Sequence, residues 1–273
     1  MSYMTERFDP AKAVNDIVDW IKHYFAENGP AAKAVIGISG GKDSSIAATL
    51  LTRALGEDRV LGVLMPCGGQ KDIMDSMRLI EHLGIPFMEV DIGSSMEALT
   101  EAMPEDLFGE RNDIYYTNTP ARLRMTTLYA IAGLVGGRVA NTCNFSEDYL
   151  GYSTKYGDNA GDFAVLANYT VEEVIAIGEY LELPNRLVYK TPDDGMSGKS
   201  DEEKLGLTYK DLDNYICDGV VPSAETLAKI ARLYKLSRHK EKHMPMAPNP
   251  FYRFRKNNRL SSAASLEEGD FFF

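Results

Sequence analysis

Hydrophobic residues follow two different spacings along this chain, and the two spacings alternate. Short apolar runs bounded by polar or glycine-containing segments predict β-strands. They lie at residues 35–38, 60–65, 86–90, 138–142 and 163–166. Apolar residues three and four positions apart predict helices between and after the strands, at 10–27, 44–51, 71–83, 92–103, 120–135, 171–180, 209–217 and 222–234. This alternation predicts an α/β fold: a parallel twisted sheet of about five strands with helices on both faces.

The chain has 273 residues, which is enough for one large α/β domain. We expect this domain to span residues 1–250, with a C-terminal tail at 251–273. Residues 104–116 are polar and aromatic, and we expect this segment to be mobile. Residues 183–204 are rich in Pro, Gly, Ser, Asp and Lys. A long segment of that kind is usually a lid or disordered, so we expect a flexible loop over about residues 183–207.

The charge and the cysteines narrow the class of protein. The net charge is −11 and the pI is near 4.9, which argues against a general nucleic-acid partner because phosphates favour basic surfaces. No apolar run approaches the length of a membrane span, so we expect no membrane partner. Cys67, Cys143 and Cys217 are odd in number and lack C-x-x-C spacing, which indicates free thiols. We therefore expect a cytoplasmic protein.

A glycine-containing motif lies between the first predicted strand and the helix that follows it. The motif is Ser39-Gly40-Gly41-Lys42-Asp43-Ser44. A tight turn at the start of a helix lets backbone N–H groups converge, so a phosphate or pyrophosphate is the expected ligand. The Walker pattern fails because Asp43 follows Lys42, and the G-x-G-x-x-G spacing is absent. The alternative from spacing alone is an ordinary glycine turn with a polar helix cap.

Several blocks of sequence, in order along the chain, resemble one known family. The six-residue motif resembles the pyrophosphate loop of the ATP pyrophosphatase superfamily, whose members split ATP between its α and β phosphates. Residues 118–130 read NTPARLRMTTLYA, and residues 141–158 contain NTCNFSED and then TKYGD. Both blocks resemble motifs of the NAD synthetases, as do KTP at 190–192, LGLTY at 205–209 and His239-Lys240. The resemblance covers about residues 11–250.

The resemblance implies a reaction and its ligands. The family amidates deamido-NAD (nicotinic acid adenine dinucleotide) with ammonia, giving NAD, AMP and pyrophosphate through an acyl-adenylate. It implies ATP as co-substrate, bound by Gly37, Ile38, Ser39, Gly40, Gly41, Lys42, Asp43, Ser44, Ser45, Gln70, Thr142 and Lys190. It implies a deamido-NAD site formed by Asn118, Arg122, Tyr129, Lys155, Asp158, Asp162, His239 and Lys240.

The resemblance also implies individual catalytic roles. Asp43 and Glu147 would bind Mg²⁺, since two carboxylates from separate elements suit an ion that bridges phosphates. Asp158 would attract ammonium and take its proton, and Lys155 would neutralise phosphate or the adenylate. The residues alone leave an alternative open for each carboxylate. In these alternatives Asp43 only caps its helix, Glu147 is a solvated helix residue, and Asp158 forms an Asx turn beside glycine.

The resemblance to the NAD synthetases also suggests partners and leaves two alternative functions to consider. Glutamine-using relatives carry an amidase domain, for which 273 residues leave no room, so ammonia would come from solution or from a separate glutaminase chain. The family works as a homodimer, and we expect a homodimer here. One rival is a tRNA-thiolating enzyme of the same superfamily, which the acidic charge disfavours. The other is a non-catalytic nucleotide-binding protein. Binding without turnover would support it.

Overall fold

Five parallel strands form the central sheet of this computed structural model, which describes residues 8–68, 73–103, 109, 112–190 and 200–241. They are β1 (Ala34–Gly37), β2 (Val60–Leu64), β3 (Phe87–Glu89), β4 (Arg138–Asn141) and β5 (Phe163–Ala164). Their order in the sheet is β3-β2-β1-β4-β5, and every neighbouring pair is parallel. The order reverses between β1 and β4. In open parallel sheets, ligands bind at the carboxyl ends of strands at such a reversal.

Helices cover both faces of the sheet. They are α1 (Pro10–Asn28), α2 (Lys42–Leu55), α3 (Ile73–Leu83), α4 (Gly93–Glu101), α5 (Asp113–Val135), α6 (Phe145–Leu150), α7 (Val171–Tyr180), α8 (Asn185–Val188), α9 (Asp201–Leu205), α10 (Tyr209–Asp218) and α11 (Ala224–Glu241). Ile36 of β1 belongs to the core shared with α1, α2 and α7, while its neighbour Val35 belongs to the core shared with α5. Successive strand residues point to opposite faces. The predicted α/β architecture is confirmed.

One helix begins earlier than the sequence predicted. We expected a helix at 120–135, but α5 begins at Asp113, because the Asn112 side chain caps it by accepting from Tyr115 N at 3.1 Å. Pro120 was interpreted as a helix start, whereas it lies buried inside α5. Residues 113–116, part of the segment that we expect to be mobile, thus belong to the first turn of α5. Residues 104–108, 110 and 111 lie outside the described residues.

The predicted irregular segment at 183–207 contains ordered flanks. Helix α8 begins after Pro184, and α9 is capped by Ser200, whose hydroxyl accepts from Glu203 N at 3.2 Å. Residues 191–199 lie outside the described residues, so the predicted flexible loop stays a prediction there.

A third apolar cluster joins the C-terminal helices to α6 and α7. It contains Leu150, Val171, Leu207, Tyr209, Leu212 and Ile230. Helix α11 continues to Glu241, past the predicted end at 234, and so carries His239 and Lys240. The described residues all belong to one compact unit, Met1–Glu241, and the predicted tail at 251–273 lies outside them. Within the described ranges, no helix is both long and apolar enough to cross a bilayer.

Candidate active site

The loop between β1 and α2 is closed by its own serine side chains. Ser39 N donates to Ser44 Oγ at 3.3 Å, the two hydroxyl oxygens lie 3.0 Å apart, and Gly41 N donates to Ser39 Oγ at 3.2 Å. Gly40 has a φ of 74°, a left-handed conformation that glycine adopts without steric cost. Helix α2 begins after Gly41, which offers no capping side chain. The first turn of α2 can therefore receive an anion.

The next two residues form a close ion pair at the start of α2. Lys42 is only 4% exposed, and its Nζ lies 2.7 and 2.8 Å from the two carboxylate oxygens of Asp43. Asp43 Oδ1 also accepts from Asn144 Nδ2 at 3.1 Å. The hydrogen bonds of this carboxylate thus go to two side chains, which is not the arrangement of a helix cap. The capping alternative for Asp43 is not observed.

Glu147 is linked to Asp43 through the Asn144 side chain and lies in the first turn of α6, after β4. Its backbone N donates to Asn144 Oδ1 at 3.1 Å, and its Oε2 accepts from Asn144 N at 3.3 Å, a reciprocal capping box. Burial and the neighbouring charge of Asp43 hold the pKa of Glu147 well above its usual range, while Lys42 acts in the opposite direction. Glu147 is therefore not merely a solvated helix residue.

Asn144 is a site residue that the sequence analysis missed. Its side chain is fully buried and bonds both Asp43 and the backbone of Glu147. The available signal was the N-x-x-E spacing of a capping box. Among the residues that the structure describes, no group of three or more His, Cys, Asp or Glu side chains could hold a metal ion.

Asp158 lies in the turn that follows α6, beside the end of β4. Its Oδ1 accepts from Thr154 N at 2.8 Å, and Thr154 Oγ1 donates to Asn118 Oδ1 of α5 at 3.1 Å. Asn141 Nδ2 donates to the Asp158 carbonyl at 2.9 Å. Although one side of Asp158 reaches solvent, surrounding protein atoms crowd its carboxyl group and raise its pKa. The side chain closes a turn by bonding back to residue 154, whereas an Asx turn would bond it to the N–H of residue 160, which donates to Gly157 O.

Basic side chains from three elements converge near this turn. Lys155 Nζ donates to the His239 carbonyl at 2.6 Å, and Arg122 Nε donates to the Lys155 carbonyl at 3.3 Å. Lys240 Nζ donates to the carbonyls of Gly151 and Ser153, both at 2.7 Å. The His239 ring lies against its own helix, with Nδ1 2.9 Å from Leu236 O. The end of α11 is thereby fixed over the turn that carries Asp158.

Tyr129 and Asp162 meet at an exposed edge of the molecule. Tyr129 Oη donates to Asp162 Oδ1 at 3.3 Å, and the other carboxylate oxygen accepts from Val139 N at 2.7 Å. Burial, followed by the charge of Asp162, raises the pKa of Tyr129 to about 12. Tyr129 is 41% exposed, so it is not a core residue. Arg122 is also exposed, and the spacing of seven residues puts both on one helical face.

Three further predicted ATP residues are distant from the loop in sequence. Lys190 Nζ donates to Gly40 O at 3.2 Å and lies 3.7 Å from Asp75 Oδ2. Thr142 directly follows β4, and Gln70 lies outside the described residues. Arg124, which the sequence analysis did not select, donates from Nε to Met65 O at 3.1 Å, just beyond β2.

Comparison with known proteins agrees with this geometry. A family model described as NAD synthase matches residues 13–245. The NH(3)-dependent NAD(+) synthetase of Syntrophomonas wolfei is 36% identical over 246 residues, covering 89% of this chain and 98% of the relative. That of Carboxydothermus hydrogenoformans is 35% identical over 234 residues, covering 85% and 95%.

Solved structures give the same result. An NMN synthetase from Francisella tularensis superposes with a TM-score of 0.81 at 33% identity, covering 89% of this chain and 99% of that one. An NH3-dependent NAD synthetase from Campylobacter jejuni superposes with a TM-score of 0.72 at 26% identity, covering 88% and 100%. The family model spans most of the chain, and the motif residues lie together at the strand ends. The chain therefore belongs to the NAD synthase family.

Proposed function

We propose that this chain is a ligase that amidates deamido-NAD with ammonia, producing NAD, AMP and pyrophosphate through an acyl-adenylate. One observation carries the proposal. The serine-closed loop, the Asp43–Glu147 pair and Asp158 all follow β1 or β4, the two strands at which the sheet order reverses. The relatives named NH(3)-dependent NAD(+) synthetases support it. A tRNA-thiolating activity is not favoured, because the matching family model is that of NAD synthases.

The first step would form the acyl-adenylate. A nicotinate carboxylate oxygen attacks the α-phosphorus of ATP, a new P–O bond forms, and the bond to the β-phosphate breaks. Pyrophosphate leaves towards the loop formed by Ser39, Gly40, Gly41 and Ser44, where the start of α2 favours negative charge. Lys190, which reaches Gly40 O, brings an ammonium group to the same loop. These groups would stabilise the departing charge without chemical change to themselves.

Asp43 and Glu147 are the residues that would hold Mg²⁺. The charge of Asp43 contributes to the raised pKa of Glu147, so a cation between the two carboxylates would relieve their repulsion. Two carboxylates leave room for phosphate oxygens and water, which suits an ion that prefers octahedral oxygen ligands. When bound, Mg²⁺ supplies charge neutralisation at the phosphates.

The second step would consume ammonia. Ammonium has no free electron pair, so it must lose a proton before nitrogen attacks the acyl carbon and AMP departs. Asp158 is the proposed acceptor of that proton, and its raised pKa brings it closer to ammonium in proton affinity. Lys155 would counter the phosphate of the adenylate. The deamido-NAD site would be completed by Asn118, Arg122, Tyr129, Asp162, His239 and Lys240.

We also propose a homodimer in the cytoplasm. The face of α5 that carries Tyr129 also exposes Ala130, Gly133 and Leu134, with Leu134 86% exposed. Exposed Trp20 stacks on Tyr24 of α1, which donates to the Asp162 carbonyl at 3.3 Å. An apolar face with small residues permits close helix packing against a second copy. Ammonia would come from solution or from a separate glutaminase.

A second candidate substrate is nicotinate mononucleotide. The solved NMN synthetase has a higher TM-score, 0.81, than the NAD synthetase from Campylobacter jejuni, 0.72. The reacting carboxylate is the same in the mononucleotide and the dinucleotide, so the chemistry of both steps is unchanged. The two candidates differ only in the part of the substrate remote from the pyridine ring.

One assay tests both candidates. The protein is incubated with ATP, Mg²⁺, ammonium and either deamido-NAD or nicotinate mononucleotide, and all products are quantified. We expect NAD, AMP and pyrophosphate in equal amounts from deamido-NAD. A larger kcat/KM for the mononucleotide than for deamido-NAD would make the mononucleotide the proposed substrate instead. Formation of ADP, or no turnover with either substrate, would contradict the proposed function.

A further inference from the structure

A buried cation already occupies the space beside the proposed metal ligands. The Lys42 side chain is 3% exposed and the Asp43 side chain is 18% exposed. Lys42 Nζ contacts both carboxylate oxygens of Asp43, at 2.7 and 2.8 Å, so neither oxygen is free of the ammonium group. One buried lysine thus offsets the charge of the Asp43 carboxylate.

Burial makes this arrangement more than an incidental ion pair. Two carboxylates withdrawn from water repel each other strongly, and an isolated buried charge is costly. Lys42 follows Gly41 at the start of α2, whose positive end disfavours a lysine. The contacts that offset the burial of this ammonium group are therefore those with the Asp43 carboxylate. The Asn144 side chain fixes Asp43 from the other side, at 3.1 Å from Oδ1.

We propose that Lys42 is an internal counter-ion that pairs with Asp43 in the nucleotide-free enzyme and competes with the divalent cation for that carboxylate. This inference rests on the proposed metal site. The proposal implies an order in which the metal ion and the nucleotide bind. A metal ion without nucleotide must displace the ammonium group, whereas ATP supplies phosphates that accept the released ammonium. The divalent cation then binds well only together with the nucleotide.

The experiment measures metal binding without turnover. Mn²⁺ is a suitable probe because it takes oxygen ligands and its free concentration is read by electron paramagnetic resonance. Binding is compared in the absence of nucleotide between the wild-type protein and Lys42→Met. The variant removes the competing charge and leaves the site one unit more negative, so its Mn²⁺ affinity should rise about tenfold or more.

Three further variants make the result specific. Lys210→Met changes the net charge equally at an exposed position and should leave Mn²⁺ affinity unchanged. Lys42→Arg keeps the positive charge and should stay within about twofold of wild type. Lys42→Gln gives the same prediction as Lys42→Met and replaces it if the methionine variant does not fold.

A different result is expected if Lys42 is not a counter-ion of Asp43. If Lys42 serves only as a phosphate ligand, Lys42→Met raises the Kd for ATP and leaves nucleotide-free Mn²⁺ affinity as in wild type. That outcome overturns the counter-ion proposal, as does weaker Mn²⁺ binding in the variant. Because no amidation is measured, failure here is separate from failure of the proposed function.

Discussion

Asp213 provides a quantitative test of how the α6 region is held. Its side chain is 2% exposed, accepts from Ser146 Oγ at 2.5 Å and from Glu172 N at 3.0 Å, and so ties α10 to the starts of α6 and α7. Ser146 precedes Glu147, the proposed metal ligand. Burial raises the pKa of Asp213 from its ordinary 3.8 to about 6, although both hydrogen bonds act against the rise. The carboxylate is therefore held at an energetic cost near neutral pH.

The sign and size of the effect follow from linkage. The folded-state pKa lies above the unfolded value, so the contribution of Asp213 to the unfolding free energy is greatest below pH 3.8 and decreases until the pH exceeds about 6. The difference between the folded and unfolded pKa values corresponds to about 3 kcal/mol of unfolding free energy, of which about 1.4 kcal/mol is lost between pH 5 and pH 8. Asp213→Asn cannot titrate. Wild type should therefore lose about 1.4 kcal/mol relative to the variant across that range.

Urea unfolding at pH 5, 6, 7 and 8 measures this difference, provided that the transitions are two-state. All other titrating groups are common to both proteins and cancel in the comparison. Asp211→Asn makes the same chemical change at an exposed position of the same helix and is the matched control for the loss of one carboxylate. A stability difference between wild type and Asp213→Asn that is independent of pH, or that changes in the opposite direction, would refute the reasoning.

Two further predictions concern the site and its support. Asp43→Asn should abolish pyrophosphate release because it removes a proposed metal ligand, whereas Asp158→Ala should retain pyrophosphate release and lose amide formation by about 100-fold or more. Burst measurements of pyrophosphate and NAD separate the steps, and equal loss of both in both variants would count against separate roles. Gly151→Ala should cost about 3 kcal/mol of stability, because a Cβ at φ 67° would lie 1.9 Å from Ser237 Cβ of α11. Gly219→Ala has the same φ and no atom within 4 Å, so it measures backbone strain alone in the same unfolding assay; equal losses in the two variants would disprove the clash.

The sheet was predictable because its strands carry continuous apolar runs. Residues 60–65 are nearly all apolar, and the resulting β2 is buried along its whole length. A strand covered on both faces gives that pattern whatever its neighbours are. The first helix was predicted equally well, since its apolar residues recur at helical spacing and Pro10 begins it.

Helix boundaries at polar segments were less predictable. Pro120 is a common first residue of a helix, but here an asparagine cap at residue 112 starts α5 earlier. The choice between two possible starts depends on tertiary packing, because the buried residues Met125, Leu128 and Ile131 fix the helix on the sheet. Propensity near a terminus is too weak to decide such a choice.

The sequence predicts residues for the candidate site but not the contacts between them. The motif identified Lys42 and Asp43 as site residues, yet nothing in their order shows that they pair with each other instead of facing a ligand. Asn144 joins Asp43 to Glu147 across about a hundred residues of sequence, a contact that exists only once β1 and β4 are neighbours. Local spacing showed the capping box but not its second partner.

The most direct test of the acyl-adenylate mechanism follows an oxygen atom. Deamido-NAD labelled with oxygen-18 in both carboxylate oxygens is converted with ATP, Mg²⁺ and ammonium, and the products are examined by mass spectrometry. If the carboxylate attacks the α-phosphorus, one labelled oxygen must appear in AMP and the other must remain in the amide of NAD. Label that is absent from AMP, or that appears in pyrophosphate or inorganic phosphate, would contradict the account.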